Sequence, residues 1–138
     1  MTPAAVFDTN VLFSATGWRG RPYRCVELAR EGIIHGIVCQ EILDELADKL
    51  QTKLNFSDEM ATDVIADLLG FLQLVIIPNT LKFIQADPDD DAILECAIVS
   101  RANYIVTGDR RHLLPIGEFE GVQIISPADF LTLISAQS

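Results

Sequence analysis

Several features that mark common protein classes are missing from this sequence. No apolar run reaches about 18 residues, so no membrane span is expected. The first residues, MTPAAVFDTN, lack a basic stretch followed by a long apolar segment, which argues against a secretory signal. Cysteine is scarce and unpaired. Cys25, Cys39 and Cys96 are far apart, form no CxxC pair and have apolar neighbours, as buried free thiols in a reducing cytosol would. The two histidines, His35 and His112, lack the spacing of a zinc site. No GxxxxGK[ST], GxSxG or GxGxxG occurs, which removes the usual nucleotide-binding and serine-hydrolase signatures. Positive charge is also in short supply, with 10 Lys and Arg against 20 Asp and Glu and a net charge of −10.

What is present is a core and a set of acids. Apolar residues make up 49% of the chain, and the mean hydropathy of +0.28 excludes a disordered acidic tail. The length of 138 residues suits a single domain spanning 1–138. Four acidic signals lie beside apolar runs: Asp8 in AVFDTN, Glu41 and Glu45 in QEILDEL, the cluster Asp87, Asp89, Asp90 and Asp91, and Asp109 in IVTGD. Carboxylates gathered in one partly buried place repel one another and lose water, so such a gathering implies a cation. Oxygen-only ligands suit Mg²⁺ or Mn²⁺.

Short β-branched runs alternate with helical patterns. Strands are expected at Ala4–Phe7, Ile33–Val38 (interrupted by Gly36), Gln73–Ile77, Tyr104–Thr107 and Val122–Ile125. Helices are expected at Pro22–Glu31, Gln40–Gln51, from an N-cap at Ser57 to about Phe71, Pro88–Ser100 and Ala128–Ser135. This alternation predicts an α/β fold of three layers, α/β/α, around a mainly parallel sheet of about five strands. The apolar residues Val64, Ile65, Leu68, Leu69 and Leu72 fit a core stripe better than a dimer surface.

In parallel sheets the ligand site lies beyond the carboxyl ends of the strands. Asp8 ends the first strand and Asp109 follows the fourth, so both project at that rim. Glu41 and Glu45 share one face of the helix leaving the second strand. Asp91 reaches the rim only if the connection ahead of its helix brings it there. Each acid also has a plain structural role open to it. Asp8 and Asp109 suit turns, Glu41 a solvated helix face, and Asp89 and Asp90 a helix N-terminus. Thr9, Asn10 and Thr107 stand where they can orient a carboxylate, with Thr107 equally readable as an ordinary strand residue. The segment GWRGRPYR carries Arg19, Arg21 and Arg24 among Trp18 and Tyr23 with no acid. It reads equally as an RNA-gripping basic loop and as a solvated loop. Arg110, Arg111 and His112 read as a solvated turn within reach of phosphate.

The pieces FDTNVLFSA, SATGWRGRPYRCVELAREG, QEILDELADKL, DPDDDAILECAIVSRANYIVTGDRRHLLP and IISPADFL cover nearly the whole chain in order. In them the chain resembles the PIN-domain ribonucleases, specifically the branch of toxins from toxin–antitoxin pairs. The resemblance implies that Asp8, Glu45, Asp91 and Asp109 are the catalytic, metal-binding acids. It places Thr9, Asn10 and Thr107 beside them, with Glu41, Asp87 and Asp90 left open. It implies a Mg²⁺- or Mn²⁺-dependent endoribonuclease hydrolysing single-stranded RNA, with Arg19, Arg21, Arg24 and Arg110 on the RNA. A cytoplasmic homodimer restrained by a small antitoxin is implied too. Three rivals are weaker. A phosphoacceptor domain needs an Asp ending the third strand and a late Lys, and a haloacid-dehalogenase-type phosphatase needs a second Asp where Asn10 stands. A non-catalytic RNA-binding or partner-binding module leaves the complete acid set without a purpose.

Overall fold

The computed structural model describes residues 2–83 and 88–137; Asp87 lies outside the described residues. Six strands form one sheet: β1 (Ala4–Phe7), β2 (His35–Cys39), β3 (Gln73–Val75), β4 (Tyr104–Val106), β5 (Glu118–Phe119) and β6 (Val122–Ile125). Their spatial order is β3-β2-β1-β4-β6-β5. All neighbours are parallel except β5 and β6, where Phe119 faces Val122 across a tight antiparallel return. The expected five parallel strands are present, and β5 adds a short antiparallel edge.

Successive residues of a strand point to opposite faces. In β1, Ala5, Val6 and Phe7 are all fully buried, so helices cover both faces of the sheet at its centre. The helices are α1 (Thr9–Gly17), α2 (Arg21–Arg30), α3 (Gln40–Leu54), α4 (Asp58–Leu69), α5 (Pro88–Ser100) and α6 (Pro127–Ala136). Ser57 caps α4 as expected, its hydroxyl accepting from Met60 N at 3.1 Å. Ser126 caps α6 in the same way. Of the apolar set 64–72, Leu68 and Leu72 join the core while Leu69 is exposed, consistent with a largely structural stripe.

Gly36 explains its own place inside β2. A β-carbon there would overlap the Leu72 side chain and come within 3.0 Å of the Ala29 β-carbon. The bare backbone lets α2 and the turn after α4 close onto the strand. The three cysteines are buried free thiols. Among the described residues no helix is long and apolar enough to cross a membrane.

The region 9–24 departs from expectation. Thr9–Gly17 is helical, and so is most of the anticipated basic loop. Only Trp18, Arg19 and Gly20 connect α1 to α2. Arg19 lies over the Tyr23 ring at 5.0 Å, while Trp18 leans on Phe13 with ring centroids 6.0 Å apart.

Candidate metal centre

The chain leaves β1 toward β2 on one side and receives β4 on the other. That reversal makes a crevice at the carboxyl ends of β1 and β4. Asp8 is the first residue past β1. Its backbone N–H donates to Val106 O at 3.0 Å, and its side chain caps α1 by accepting from Asn10 N at 3.3 Å. Thr107, the first residue past β4, donates its hydroxyl to Asp8 Oδ2 at 2.6 Å. Thr107 Oγ1 in turn accepts from Asp109 N at 3.0 Å, so one hydroxyl ties the two strand ends together. Burial raises the Asp8 carboxyl above its usual range, opposed by the Thr107 and Asn10 hydrogen bonds.

Asp109 is held by the backbone of its own turn. It accepts from Arg111 N at 3.0 Å, His112 N at 3.2 Å and Leu113 N at 3.3 Å. This turn carries His112 back over the crevice. Its Nδ1 lies 3.0 Å from Asp90 Oδ2 and 3.8 Å from Asp109 Oδ2. One donor atom from each of Asp90, Asp109 and His112 falls within 4.8 Å of the other two.

The opposite wall is the α3 face bearing Glu41, Glu45 and Lys49 at four-residue steps. Lys49 Nζ donates to Asn10 Oδ1 at 2.6 Å and sits 3.5 Å from Glu45 Oε1. Glu45 is pushed up to about 7, first by burial and then by the hydrogen bond and charge it shares with Asp89. Together Asp8, Glu45, Asp89, Asp90, Asp109 and His112, with Asn10 and Lys49, line a polar cavity of about 310 Å³.

Three of the four acids expected from the sequence therefore meet: Asp8, Glu45 and Asp109. Asp91 does not. Successive helical residues are about 100° apart, so α5 presents Asp90 and Ile93 to the acid cavity. It turns Asp91 and Glu95 toward a separate cavity with Asn79, Leu81 and Lys82. There Asp91 accepts from Phe83 N at 3.1 Å. Asp90, 7% exposed, takes the place expected of Asp91, and Asp89 joins it. Glu41 stands just outside, accepting from Asn79 Nδ2 at 2.6 Å.

Thr107 orients Asp8 as expected, and Asn10 does so through its backbone. Thr9 is different: its Oγ1 is buried and has no hydrogen-bond partner among the described residues. It lines a small recess with Glu41, Glu45 and Asp89. Arg110 is exposed directly beside Asp109. Arg19, in the connection after α1, and Arg21 and Arg24, in the first turn of α2, are exposed, and none lines the cavity.

Two contributors were not expected. Lys49 continues the stripe of Glu41 and Glu45 by one more step of four, a signal open to view. His112 had only its position three residues after Asp109, in a turn whose direction the sequence does not state.

The donor set fits a divalent cation. Asp8 is only 4% exposed, and carboxylates from four separate stretches of chain face one space with hard oxygen atoms. Lys49 alone offsets only a small part of that negative charge.

Residues 4–111 match the PIN domain family. No curated protein matches the sequence. Among solved structures, the chain is similar to PAE2754 from Pyrobaculum aerophilum, with a TM-score of 0.67 at 15% identity over 99% of this chain and 98% of that one. It is also similar to VapBC2 from Rickettsia felis, determined bound to a DNA fragment from their promoter. There the TM-score is 0.62 at 15% identity over 89% of this chain and 98% of that one. At that identity the likeness is one of fold. The match across residues 4–111 establishes that this chain belongs to the PIN-domain family.

Proposed function

We propose that this chain is a Mg²⁺- or Mn²⁺-dependent endoribonuclease hydrolysing phosphodiester bonds in single-stranded RNA. We assign it as the toxin of a toxin–antitoxin pair, a cytoplasmic homodimer restrained by a small antitoxin. One observation carries the reading: Asp8, Glu45, Asp90 and Asp109 come from four separate stretches of chain and line a single polar cavity at the carboxyl rim of the sheet. Family membership supports the nuclease chemistry, and the shared fold with VapBC2 supports the toxin assignment.

In this reading Asp8, Asp90 and Asp109 hold the cation, with Glu45 and Asp89 on the facing wall. A divalent ion there supplies activation of water and neutralisation of phosphate charge. The protein does the positioning. Thr107 fixes the Asp8 carboxylate, and three backbone amides fix that of Asp109. Lys49, held by Asn10 and Glu45, offers an ammonium at the cavity wall for a phosphate oxygen. Arg110 offers a second cation at the rim. Arg19, Arg21 and Arg24 would meet RNA running on past the far end of α1. Asp91 is assigned to structure.

The test is cleavage of end-labelled single-stranded RNA with added Mg²⁺ or Mn²⁺ and with chelator. Wild type should cut only with metal. Asp8→Asn keeps the helix cap's shape and the fold but should cut at least about 100-fold more slowly. Equal rates for the two proteins would refute the assignment.

A further inference from the structure

Resting on the reading of this cavity as a divalent-cation site, we propose that His112 is a direct metal ligand through Nδ1. Its nitrogen would tilt the site toward Mn²⁺, and like ions that accept imidazole, over Mg²⁺.

The geometry starts with which ring nitrogen faces inward. Nδ1 is 3.0 Å from Asp90 Oδ2 and 3.8 Å from Asp109 Oδ2. In an octahedral site with bonds of about 2.1 Å, adjacent donors are about 3.0 Å apart and opposite ones about 4.2 Å apart. The two separations lie at and between those limits. A cation bound by Asp90 and Asp109 would therefore sit within bonding reach of Nδ1 after small side-chain adjustments. Nδ1 lies within hydrogen-bond reach of Asp90 Oδ2. Coordination would use the Nδ1 lone pair and place the ring proton on Nε2.

The ligand is also held in place. Asp109 accepts from the backbone N–H of His112 itself, so the same carboxylate anchors the chain from which the imidazole projects. The ring is one-third exposed, unlike a packed core histidine. A second, independent sign of a missing partner lies beside Glu45 and Asp89. There the Thr9 hydroxyl, 1% exposed, has no hydrogen-bond partner among the described residues and lines a recess large enough for about one water.

The preference follows from ligand chemistry. Mg²⁺ takes oxygen donors and retains its waters, whereas imidazole suits first-row transition ions. A site of carboxylates alone discriminates weakly between Mg²⁺ and Mn²⁺. One nitrogen among the carboxylates favours Mn²⁺.

The chain's other histidine provides an internal control. His35 opens β2 at the amino end of the sheet, opposite the acid rim, and contacts Gln73 at 2.5 Å. The experiment is pulsed electron paramagnetic resonance of Mn²⁺ bound to the purified protein, paired with Mg²⁺ competition. The expected result is a directly coordinated ¹⁴N modulation in wild type and in His35→Gln that disappears in His112→Ala. The Mn²⁺-to-Mg²⁺ affinity ratio should fall about tenfold in His112→Ala. Bound Mn²⁺ without nitrogen modulation in the wild type would overturn the proposal while leaving an all-oxygen cation site intact. Unchanged modulation in His112→Ala would overturn it equally. Failure of Mn²⁺ to bind at all would remove the proposal and the cation site together. Nitrogen-coupled Mn²⁺ in a protein that cuts no RNA would uphold the proposal and refute the ribonuclease assignment.

Discussion

Asp8 meets three demands at once: it ends a strand, caps a helix and faces a cavity. Its carboxylate is buried, accepts from Thr107 and Asn10, and shares its space with other acids, Asp109 nearest in effect. Its place at the sheet rim was legible because it directly follows a strand of a parallel sheet, although Asp-Thr-Asn alone reads equally as a turn. Asp109 was legible from its place just past a strand, whereas spacing offered Glu41 and Glu45 alike and only the resemblance to PIN domains singled out Glu45. Asp90 was not legible. Three consecutive acids open α5, and only the helix's rotation about its axis, set by packing of Ile93, Leu94 and Ala97, decides which one looks inward. The two neighbours therefore make a sharp comparison. Asp90→Asn should remove measurable Mn²⁺ binding by calorimetry. Asp91→Asn should leave it within about twofold and cost about 1 kcal/mol of stability through the Phe83 hydrogen bond. The raised carboxyls also fix a pH trend. Glu45 moves from an ordinary value of 4.5 to about 7, and Asp8 is raised too. A carboxyl with a raised folded pKa binds more protons when folded. Its stabilising contribution is complete below the unfolded value and is lost as pH rises through the folded one. In chelator, the thermal midpoint should therefore fall between about pH 5 and about pH 7.5 by more in wild type than in Glu45→Gln.

At the scale of elements, the helix α1 escaped the sequence reading for a physical reason. In TNVLFSATG the apolar residues do not form one clean stripe, since Val11 and Leu12 are buried while Phe13 and Ala15 are half-buried. Its start is signalled only by the Asp8 cap, which reads as a turn when taken alone. The strands were more legible, because short β-branched runs closed by Gly or Pro have few other uses. β5, two residues long, has no pattern to detect. Gly36 looked like a fault in β2 and is instead the contact point for the turn after α4 and for α2. Gly36→Ala should lower unfolding stability by about 1–3 kcal/mol in urea titration, through the overlap with Leu72 and the tight approach to Ala29. A change near zero would mean that α2 is free to shift away from the sheet.

The molecule as a whole concentrates its charge problem in one place. A net charge of −10 is tolerable over a surface, but Asp8, Glu45, Asp89, Asp90 and Asp109 sit around one cavity that Lys49 also lines. That density opposes folding unless a cation or bound protons offset it. The parallel sheet creates the concentration by bringing the ends of β1 and β4 side by side and setting α3 and α5 across from them. The same excess of acid runs against the nucleic-acid substrate proposed above in any reading of composition, since phosphate would be repelled without the ion. The most direct measurement is therefore the position of Mn²⁺ in a crystal, read from its anomalous scattering. A peak is expected between Asp8, Asp90 and Asp109, within about 2.0–2.3 Å of their nearest carboxylate oxygens. A crystal grown with Mn²⁺ whose peaks lie elsewhere, with this cavity filled by water alone, would contradict it.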